Sequence, residues 1–216
     1  MKYLFLDTSS FYINIAIISD EKIIYSKSEL NSPKLSESIF IFIEEAFDKS
    51  KIKATDLDKI FIVNGPGSFT GVRVGVTIAK TMAWSLKIPV VPLSTLELYA
   101  TTKIEEKYLI PFIKDRNDYL YAGVYDNLLN NYMEDRFLHI TELLESLDKT
   151  RQYIFVGHDE LKTNFDVMKP ELDILKIINK HLDDDIINPH YVNPNYLKRI
   201  DAEINLEKKL NDSESK

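Results

Sequence analysis

The residues with the clearest potential for chemistry form a glycine-rich turn, residues 64–71, with the sequence NGPGSFTG. Glycine-rich turns before a helix bind phosphate in many proteins, because backbone N–H groups converge there on the anion. A P-loop needs a Lys-Ser/Thr pair after a correctly spaced glycine, which this turn lacks, and a Rossmann turn needs glycine where Thr70 stands. The turn matches neither pattern, and a tight turn that seats its helix close to a sheet is the structural alternative.

Histidine and cysteine, the residues most often used for metal and nucleophile chemistry, are few in this chain. It contains no cysteine and four histidines, and no two of the histidines are four residues apart as in a helical zinc motif. We therefore expect His139, His158, His181 and His190 to lie on the surface or in loops. A Gly-x-Ser-x-Gly nucleophile elbow is also missing. The sequence thus predicts no catalytic residue and no metal ligand.

The composition is that of an acidic globular protein. Of its 216 residues, 44% are hydrophobic and 28% are charged, and the net charge is −7. Such a protein binds RNA poorly by itself, because neutralisation of phosphates by Lys and Arg supplies most of the non-specific affinity. No uncharged run approaches the ~20 residues needed to cross a bilayer. We therefore expect a cytoplasmic protein that does not contact membranes and meets RNA only through another subunit.

The glycine turn lies inside a predicted βαβ unit, because an apolar run precedes it, a helical pattern reaches Leu86 and a second apolar run follows. An antiparallel meander is predicted before this unit, with Asp7 and Thr8 in its first turn. A helix with Ser32 as its cap and Pro33 at its first position joins the two. The predicted strands of this half cover residues 2–6, 11–19, 22–28, 60–63 and 88–91, and a short helix covers residues 94–100.

The second half of the chain repeats this order of elements. Its predicted strands cover residues 109–115, 119–125, 132–140 and 153–157, with a helix over residues 141–148. Asp115 then follows the first strand as Asp7 does, and Thr141 caps the helix. We therefore predict an α/β protein of two duplicated domains, each a mixed sheet with the order β-β-β-α-β. The predicted boundaries are 1–102 for the N-terminal domain, 103–190 for the smaller C-terminal domain, 191–212 for a helix that docks back, and 213–216 for a tail.

Two helices of the first half carry more apolar surface than contact with one sheet requires. Residues 39–43 are five consecutive bulky apolar residues, which cover more than one face of a helix. The helix after the glycine turn has small residues at every fourth position, a face on which another helix or the sheet can approach closely. We therefore predict that these two helices bind a partner. The residues assigned to this surface are Leu35, Ile39, Phe42, Ile43, Phe47, Gly71, Val72, Gly75, Val76, Ala79 and Ala83.

The duplicated plan, with an aspartate after the first strand, resembles the superfamily of actin, hexokinase and the heat-shock chaperone ATPases (ASKHA, ribonuclease H-like). In that superfamily the first hairpin turn cradles phosphate and its aspartate helps to position magnesium. Ser9 and Ser10 occupy the tip of this turn here, where phosphate loops use glycine. Nucleotide binding is therefore the weaker alternative for the two turns. Its residues would be Asp7, Thr8, Gly65, Gly67 and Ser68.

The glycine turn and the start of its helix, GPGSFTGVRVG at residues 65–75, closely resemble a motif of the TsaB (YeaZ) family. LDTS at residues 6–9, STLE at residues 94–97 and PNYLK at residues 194–198 add to this resemblance, with Lys198 in place of the family's arginine. The likeness is strong in the first half of the chain and looser but colinear in the second. It implies an actin-like subunit of the bacterial machinery that makes threonylcarbamoyladenosine (t6A) beside the tRNA anticodon.

The resemblance also implies the partners of this chain. Members of the family pair with the catalytic paralogue TsaD, are joined by the ATPase TsaE, and form homodimers through the same surface when alone. The implied role is a scaffold that is not an enzyme by itself and meets tRNA only through the complex. It implies no tightly bound cofactor for this chain alone and allows ATP and magnesium in the complex. Two alternatives stay open: an actin-like ATP-dependent small-molecule kinase and, less favoured, a metallopeptidase.

Two features of these families are missing here. Many TsaB-like proteins carry a His-Ser pair at the start of the first helix, where this chain has Leu35 and Ser36. The metal-binding His-x3-His motif of TsaD is absent from the sequence. Its absence argues against both the catalysis of the paralogue and a peptidase activity in this chain.

Overall fold

The computed structural model describes residues 1–31, 35–105, 107–184 and 187–198. These residues form two five-stranded mixed sheets with helices on their faces, which confirms the predicted α/β, actin-like fold. The first sheet contains β1 (Lys2–Asp7), β2 (Tyr12–Ser19), β3 (Lys22–Leu30), β4 (Lys59–Val63) and β5 (Val90–Leu93), in the spatial order β3-β2-β1-β4-β5. The second contains β6 (Tyr108–Lys114), β7 (Tyr119–Tyr125), β8 (Asn131–His139), β9 (Tyr153–Val156) and β10 (Val167–Met168), in the order β10-β9-β6-β7-β8. The α-helices are α1 (Leu35–Ser50), α2 (Phe69–Leu86), α3 (Thr95–Tyr99), α4 (Ile140–Ser146) and α5 (Ile174–Lys180).

The first sheet is covered on both faces, because its central strands are apolar on both sides. β1 is antiparallel to β2 and parallel to β4. The predicted βαβ unit is confirmed, since β4 and β5 are parallel and α2 connects them. α1 and α2 pack on one face, where Leu6 and Ile15 are buried with Ile39 and Ala79. This arrangement leaves the outer sides of both helices facing away from the sheet.

The second sheet repeats the β-β-β-α-β order and then adds β10, which is parallel to β9. Its helix, α4, begins at Ile140 with His139 as the N-cap, since the ring Nδ1 of His139 accepts a hydrogen bond from the Thr141 N–H at 3.3 Å. The prediction that Thr141 caps this helix is therefore wrong. Thr141 already lies in the first turn, and its amide is the group that the cap satisfies.

The chain returns to the first sheet after it has formed the second. Ile177 and Ile178 of α5 pack with Phe5 and Phe61 in a buried cluster on the face opposite α1 and α2. The predicted C-terminal domain of residues 103–190 includes α5, although this helix packs on the first sheet, and the domain boundaries stay a prediction. An apolar helix face can be recognised from its spacing, but the spacing does not say which sheet it covers.

The segment after α5 is not helical where it is described. Residues 189–191 form a 3₁₀ turn, and residues 192–198 follow without regular structure, although residues 191–212 were predicted as a helix. Pro194 explains the difference, because proline lacks an N–H and disfavours a helical backbone in the residue before it. The rest of that predicted helix and the predicted tail lie outside the described residues, as do the predicted cap residues Ser32 and Pro33. Among the helices of the described ranges, none is both long and apolar enough to span a bilayer.

Candidate functional site

The glycine turn packs directly on the first hairpin turn of the same chain. A Cβ at Gly67 would overlap the backbone oxygen of Ser9, and one at Gly71 would overlap the backbone oxygen of Thr8. The Ser68 N–H donates to the oxygen of Ser9 at 2.8 Å, and the Thr8 Oγ1 donates to the oxygen of Gly71 at 2.7 Å. The glycines are therefore needed for close approach of two backbone segments.

The small-residue face of α2 is occupied by the chain itself. A Cβ at Gly75 would overlap the Thr8 Oγ1 and approach the Ile62 side chain, and Ala79 and Ala83 are fully buried in the core of the first sheet. The prediction that a partner helix uses this face is wrong for its glycine end, where Thr8 fills the space. The structural alternative, a turn that seats its helix close to the sheet, describes the observed packing.

The Asp7 carboxylate at the end of β1 is completely buried and satisfied by its own hairpin. Its Oδ1 accepts from the Ser9 N–H at 2.9 Å and the Ser9 Oγ at 2.7 Å. Its Oδ2 accepts from the Ser10 Oγ at 2.7 Å and the Asn14 Nδ2 at 3.0 Å. Both predicted nucleotide turns are thus packed against each other, and nucleotide binding at Asp7, Thr8, Gly65, Gly67 and Ser68 stays a prediction.

A small cavity lies between the two sheets, at the carboxyl ends of β1, β4, β6 and β9. Its volume is about 210 Å³, and His158, Phe11, Tyr99 and Ser68 are among its walls. The ring of His158 stacks on Phe11 with 5.2 Å between centroids, and Tyr99 meets the same ring edge-on at 5.6 Å. Burial lowers the pKa of His158 and favours the neutral imidazole. His158 lies in the loop after β9, as expected, and there it forms a half-buried wall of this cleft.

A partly buried ion network joins α3, α5 and the turn between β7 and β8. Lys180 donates to the Oε1 of Glu97 at 2.6 Å and also to the backbone oxygen of Leu129. His181 lies 2.9 Å from the Oε2 of Glu97 through Nε2, and its Nδ1 pairs with Asp184. Burial opposes both charges, but these hydrogen bonds lower the pKa of Glu97 and raise that of His181. Sequence reasoning missed the network because its members are distant in the chain.

Asp135 of β8 fastens the second sheet to the cap of α3. The Ser94 Oγ accepts a hydrogen bond from the Leu96 N–H at 3.1 Å and donates one to the Asp135 Oδ2. The Tyr125 hydroxyl donates to the Asp135 Oδ1 at 2.6 Å. Burial raises the pKa of Asp135. Ser94 therefore caps a helix and anchors the second sheet at the same time.

Residues 193–198, which we name the C-terminal strap, run from the glycine turn to the second sheet. The Asn195 N–H donates to the Asn64 oxygen at 2.8 Å, and the Arg73 Nε donates to the Tyr196 hydroxyl at 2.7 Å. Lys198 then pairs with Asp115 at 2.7 Å, at the end of β6. The strap therefore connects the two sheets. Asp115 binds Lys198 of the strap, whereas Asp7, at the equivalent turn of the first sheet, binds only its own hairpin among the described residues.

Most residues assigned to the partner surface lie in the chain's own core. Nine of the eleven are buried, and Phe42 and Phe47 are partly buried. The nine are Leu35, Ile39, Ile43, Gly71, Val72, Gly75, Val76, Ala79 and Ala83. They support the helices from inside, and their buried side chains offer little surface to a partner.

Other apolar residues of the same two helices do face outward. Phe40 and Ile41, near the middle of α1, each expose 62% of their surface. Phe69 at the start of α2 and Trp84 near its end are also largely exposed. These four side chains, with the partly buried Phe42 and Phe47 beside them, make the outer faces of α1 and α2 the candidate partner-binding surface. The run of five apolar residues at 39–43 thus separates into inner and outer positions on the helix.

Two β-β-β-α-β sheets with a cleft at their strand ends define an α/β protein of the actin-like class. The model of the family described as "TsaD: tRNA N6-adenosine threonylcarbamoyltransferase" matches residues 22–172. The TsaB protein of Bacillus subtilis (strain 168), named for tRNA threonylcarbamoyladenosine biosynthesis, is 34% identical over 164 residues, which are 74% of this chain and 72% of that protein. The chain therefore belongs to the TsaB (YeaZ) family of tRNA threonylcarbamoyladenosine biosynthesis proteins.

Two further comparisons agree with this family. The TsaB protein of Buchnera aphidicola subsp. Schizaphis graminum is 29% identical over 162 residues, which are 70% of this chain and 76% of that protein. The structure of YeaZ from Pseudomonas aeruginosa superimposes with a TM-score of 0.77 and 19% identity, over 91% of this chain and 99% of that one. The structural similarity shows the fold, and the sequence similarity shows the family.

Proposed function

We propose that this chain is a non-catalytic subunit of the t6A machinery. It pairs with a TsaD-like catalytic paralogue, and a TsaE-like ATPase joins the pair, so that threonylcarbamoyl is transferred to the adenosine beside the tRNA anticodon. The observation that carries this proposal is the outward-facing apolar pair Phe40 and Ile41, on a helix whose inner residues Ile39 and Ile43 are already buried. A helix that is apolar on its exposed side as well as on its buried side is expected to bind a second protein through the exposed side.

The similarity to TsaD supports the choice of partner. The tRNA N6-adenosine threonylcarbamoyltransferase of Clostridioides difficile is 38% identical over 84 residues, which are 38% of this chain and 25% of that protein. Paralogues that share a fold can present equivalent helix faces to each other, as two copies of one chain do in a two-fold dimer. The same surface would therefore serve the TsaD-like partner in the complex and a second copy of this chain when the partner is absent.

The arrangement of acidic and histidine side chains supports a scaffold rather than a catalytic role. Among the described residues, no group of three or more His, Asp or Glu side chains is placed to hold a metal ion. The Asp7 carboxylate, which a magnesium-dependent kinase would need, already accepts four hydrogen bonds from its own hairpin. In this proposal the chain works in the cytoplasm, ATP and magnesium act in the complex, and tRNA meets this chain only there.

Substitutions on the outer face of α1 test the proposal. The double variant Phe40→Glu/Ile41→Glu should bind a TsaD-like protein about 30-fold or more weakly, because two central apolar contacts are replaced by charges. Leu128→Glu is the matched control, since Leu128 is an exposed apolar residue on the turn between β7 and β8. Binding is measured by calorimetry, and t6A formation by a mixture of this chain, TsaD, TsaE and tRNA.

The outcomes separate the proposal from its alternatives. We expect the α1 double variant to lose binding and t6A formation together, while the Leu128 control keeps both. Unchanged binding by the double variant would remove α1 from the interface. Modification of tRNA by this chain alone, or magnesium-ATP turnover abolished by Asp7→Ala, would show that it is an enzyme after all.

A further inference from the structure

A second pocket is lined by two of the few arginines of the chain. It lies at the end of the second sheet that is opposite to the cavity between the two sheets. Its volume is about 310 Å³, and it lies where β8 and β9 begin, beside the end of α4. Arg136 and Arg151, two of only five arginines in the sequence, line it together with Tyr132 and Tyr153. We name it the arginine pocket.

The guanidinium group of Arg151 is held in place by its neighbours. Its central carbon lies 4.6 Å from the ring centre of Tyr108 and 4.9 Å from that of Tyr132. Its Nε pairs with the Oδ2 of Asp148 at 3.2 Å. Because Nε makes this ion pair, the two terminal nitrogens remain as donors for a ligand. Aromatic contacts on a guanidinium fix its plane and so reduce the entropy lost on binding.

The charge of Arg136 is not balanced inside the pocket. Within the described ranges, the side chain of Arg136 makes no hydrogen bond or ion pair, and the only carboxylate that lines the pocket belongs to Asp148, which already pairs with Arg151. The pocket is therefore positive, although the chain as a whole has a net charge of −7. A positive pocket in an acidic protein favours an anion over any cation.

We propose that the arginine pocket binds a phosphate group, held between the guanidinium groups of Arg136 and Arg151. A guanidinium group presents paired N–H donors that match the oxygens of a phosphate group. The two positive charges of Arg136 and Arg151 also match the charge of a phosphate group better than the single charge of a carboxylate. The pocket is at the small end of the range for ligand sites, which suits one phosphorylated group. The phosphate belongs either to a free 5′-nucleotide or to an RNA backbone, and the proposal does not depend on the function proposed above.

The test is a titration of the isotope-labelled full chain with 5′-AMP, followed by NMR of its backbone amides. Saturable shifts should appear around the pocket, at Val124, Met133 and Leu147, and adenosine should not produce them because it lacks phosphate. Arg136→Gln should raise the Kd for AMP at least tenfold. Arg116→Gln is the matched control, since Arg116 is an exposed arginine at the opposite end of the sheet.

A second variant separates geometry from charge. Arg151→Lys keeps the charge but loses the fork and its fixed plane, so we expect it also to raise the Kd for AMP at least tenfold. The side chain of Arg136 makes no described hydrogen bond or ion pair, so its variant should keep the spectrum of the folded chain. Equal weakening by Arg116→Gln, or full binding by Arg136→Gln, would overturn the proposal.

Competition identifies the source of the phosphate. A short single-stranded RNA that displaces AMP, and whose binding also requires Arg136, would assign the pocket to the RNA backbone. Failure of the RNA to displace bound AMP would assign it to a free nucleotide. The proposal is overturned if neither AMP nor the RNA gives saturable shifts at concentrations up to about 10 mM, tenfold above a Kd of about 1 mM.

Discussion

Asp7 and Thr8 show how a turn with the residue types of a phosphate cradle can be used for packing. The carboxylate of Asp7 holds the hairpin, and Thr8 bridges to the oxygen of Gly71 at the start of α2. Three glycines of the turn and helix would each place a Cβ against this hairpin. At the residue scale, the glycine motif is therefore explained by contact between two segments of one chain.

Gly71→Ala should destabilise the chain by about 2–4 kcal/mol, because the added Cβ would overlap the backbone oxygen of Thr8. Thr70→Ala is the control, since Thr70 is the exposed neighbour in the same turn. Urea denaturation of both variants measures the free energy of unfolding. A Gly71→Ala chain as stable as the control would show that the hairpin and the helix are not in contact.

The pair of His181 with Glu97 predicts a pH-dependent stability. The pKa of His181 is raised in the folded chain, so its contribution is complete below the ordinary value of about 6.5 and is lost as the pH rises through the folded pKa. The pKa of Glu97 is lowered, so its contribution is present above about 4.5 and is lost in acid. The stability difference between the natural chain and His181→Gln should therefore be larger at about pH 5.5 than at about pH 8.5.

Urea denaturation of both chains at the two pH values checks this expectation. His139→Gln is the control, because His139 caps α4 and pairs with no carboxylate in the described residues. A stability difference for His181→Gln that is the same at both pH values, or larger at the alkaline one, would contradict the pairing.

At the scale of elements, spacing predicted the type of most helices and strands but not their neighbours. The apolar run at residues 39–43 and the small-residue face of α2 were both recognised, and both are real features of helices. Their periodicity could not show that Thr8 fills the glycine end of α2, or that α5 covers the first sheet, because those contacts join distant parts of the chain. The two residues of β10 were too few to form a pattern.

The same charged substitution at two neighbouring positions of α1 should change the stability of the chain by very different amounts. Ile39→Asp should cost about 4 kcal/mol or more, because Ile39 is completely buried and the carboxylate would find no partner there. Ile41→Asp should change stability by about 1 kcal/mol or less, because that side chain is mostly exposed. Thermal unfolding of the two variants measures the difference, and similar losses in both would mean that the helix is rotated relative to the described structure.

At the scale of the whole molecule, the duplication predicted from element order is present, and the contacts that join its halves are not visible in that order. Ser94 with Asp135, Glu97 with Lys180, and the C-terminal strap all connect residues that are far apart in sequence. The strap includes the family-like motif at residues 194–198, which therefore acts as a connection between sheets. The motif was recognised from the sequence, but only its contacts explain its position in the chain.

The strap should keep the two sheets together through the backbone of Asn195. Asn195→Pro removes the N–H that donates to Asn64, whereas Asn195→Ala keeps it. Loss of one such hydrogen bond, worth about 1 kcal/mol, should raise the population of the open form about fivefold. Trypsin cleavage after Lys198, whose side chain pairs with Asp115 while the strap is in place, reports that population, so the proline variant should be cut there about five times faster than the alanine variant. Equal cleavage rates would show that the strap does not hold the sheets together.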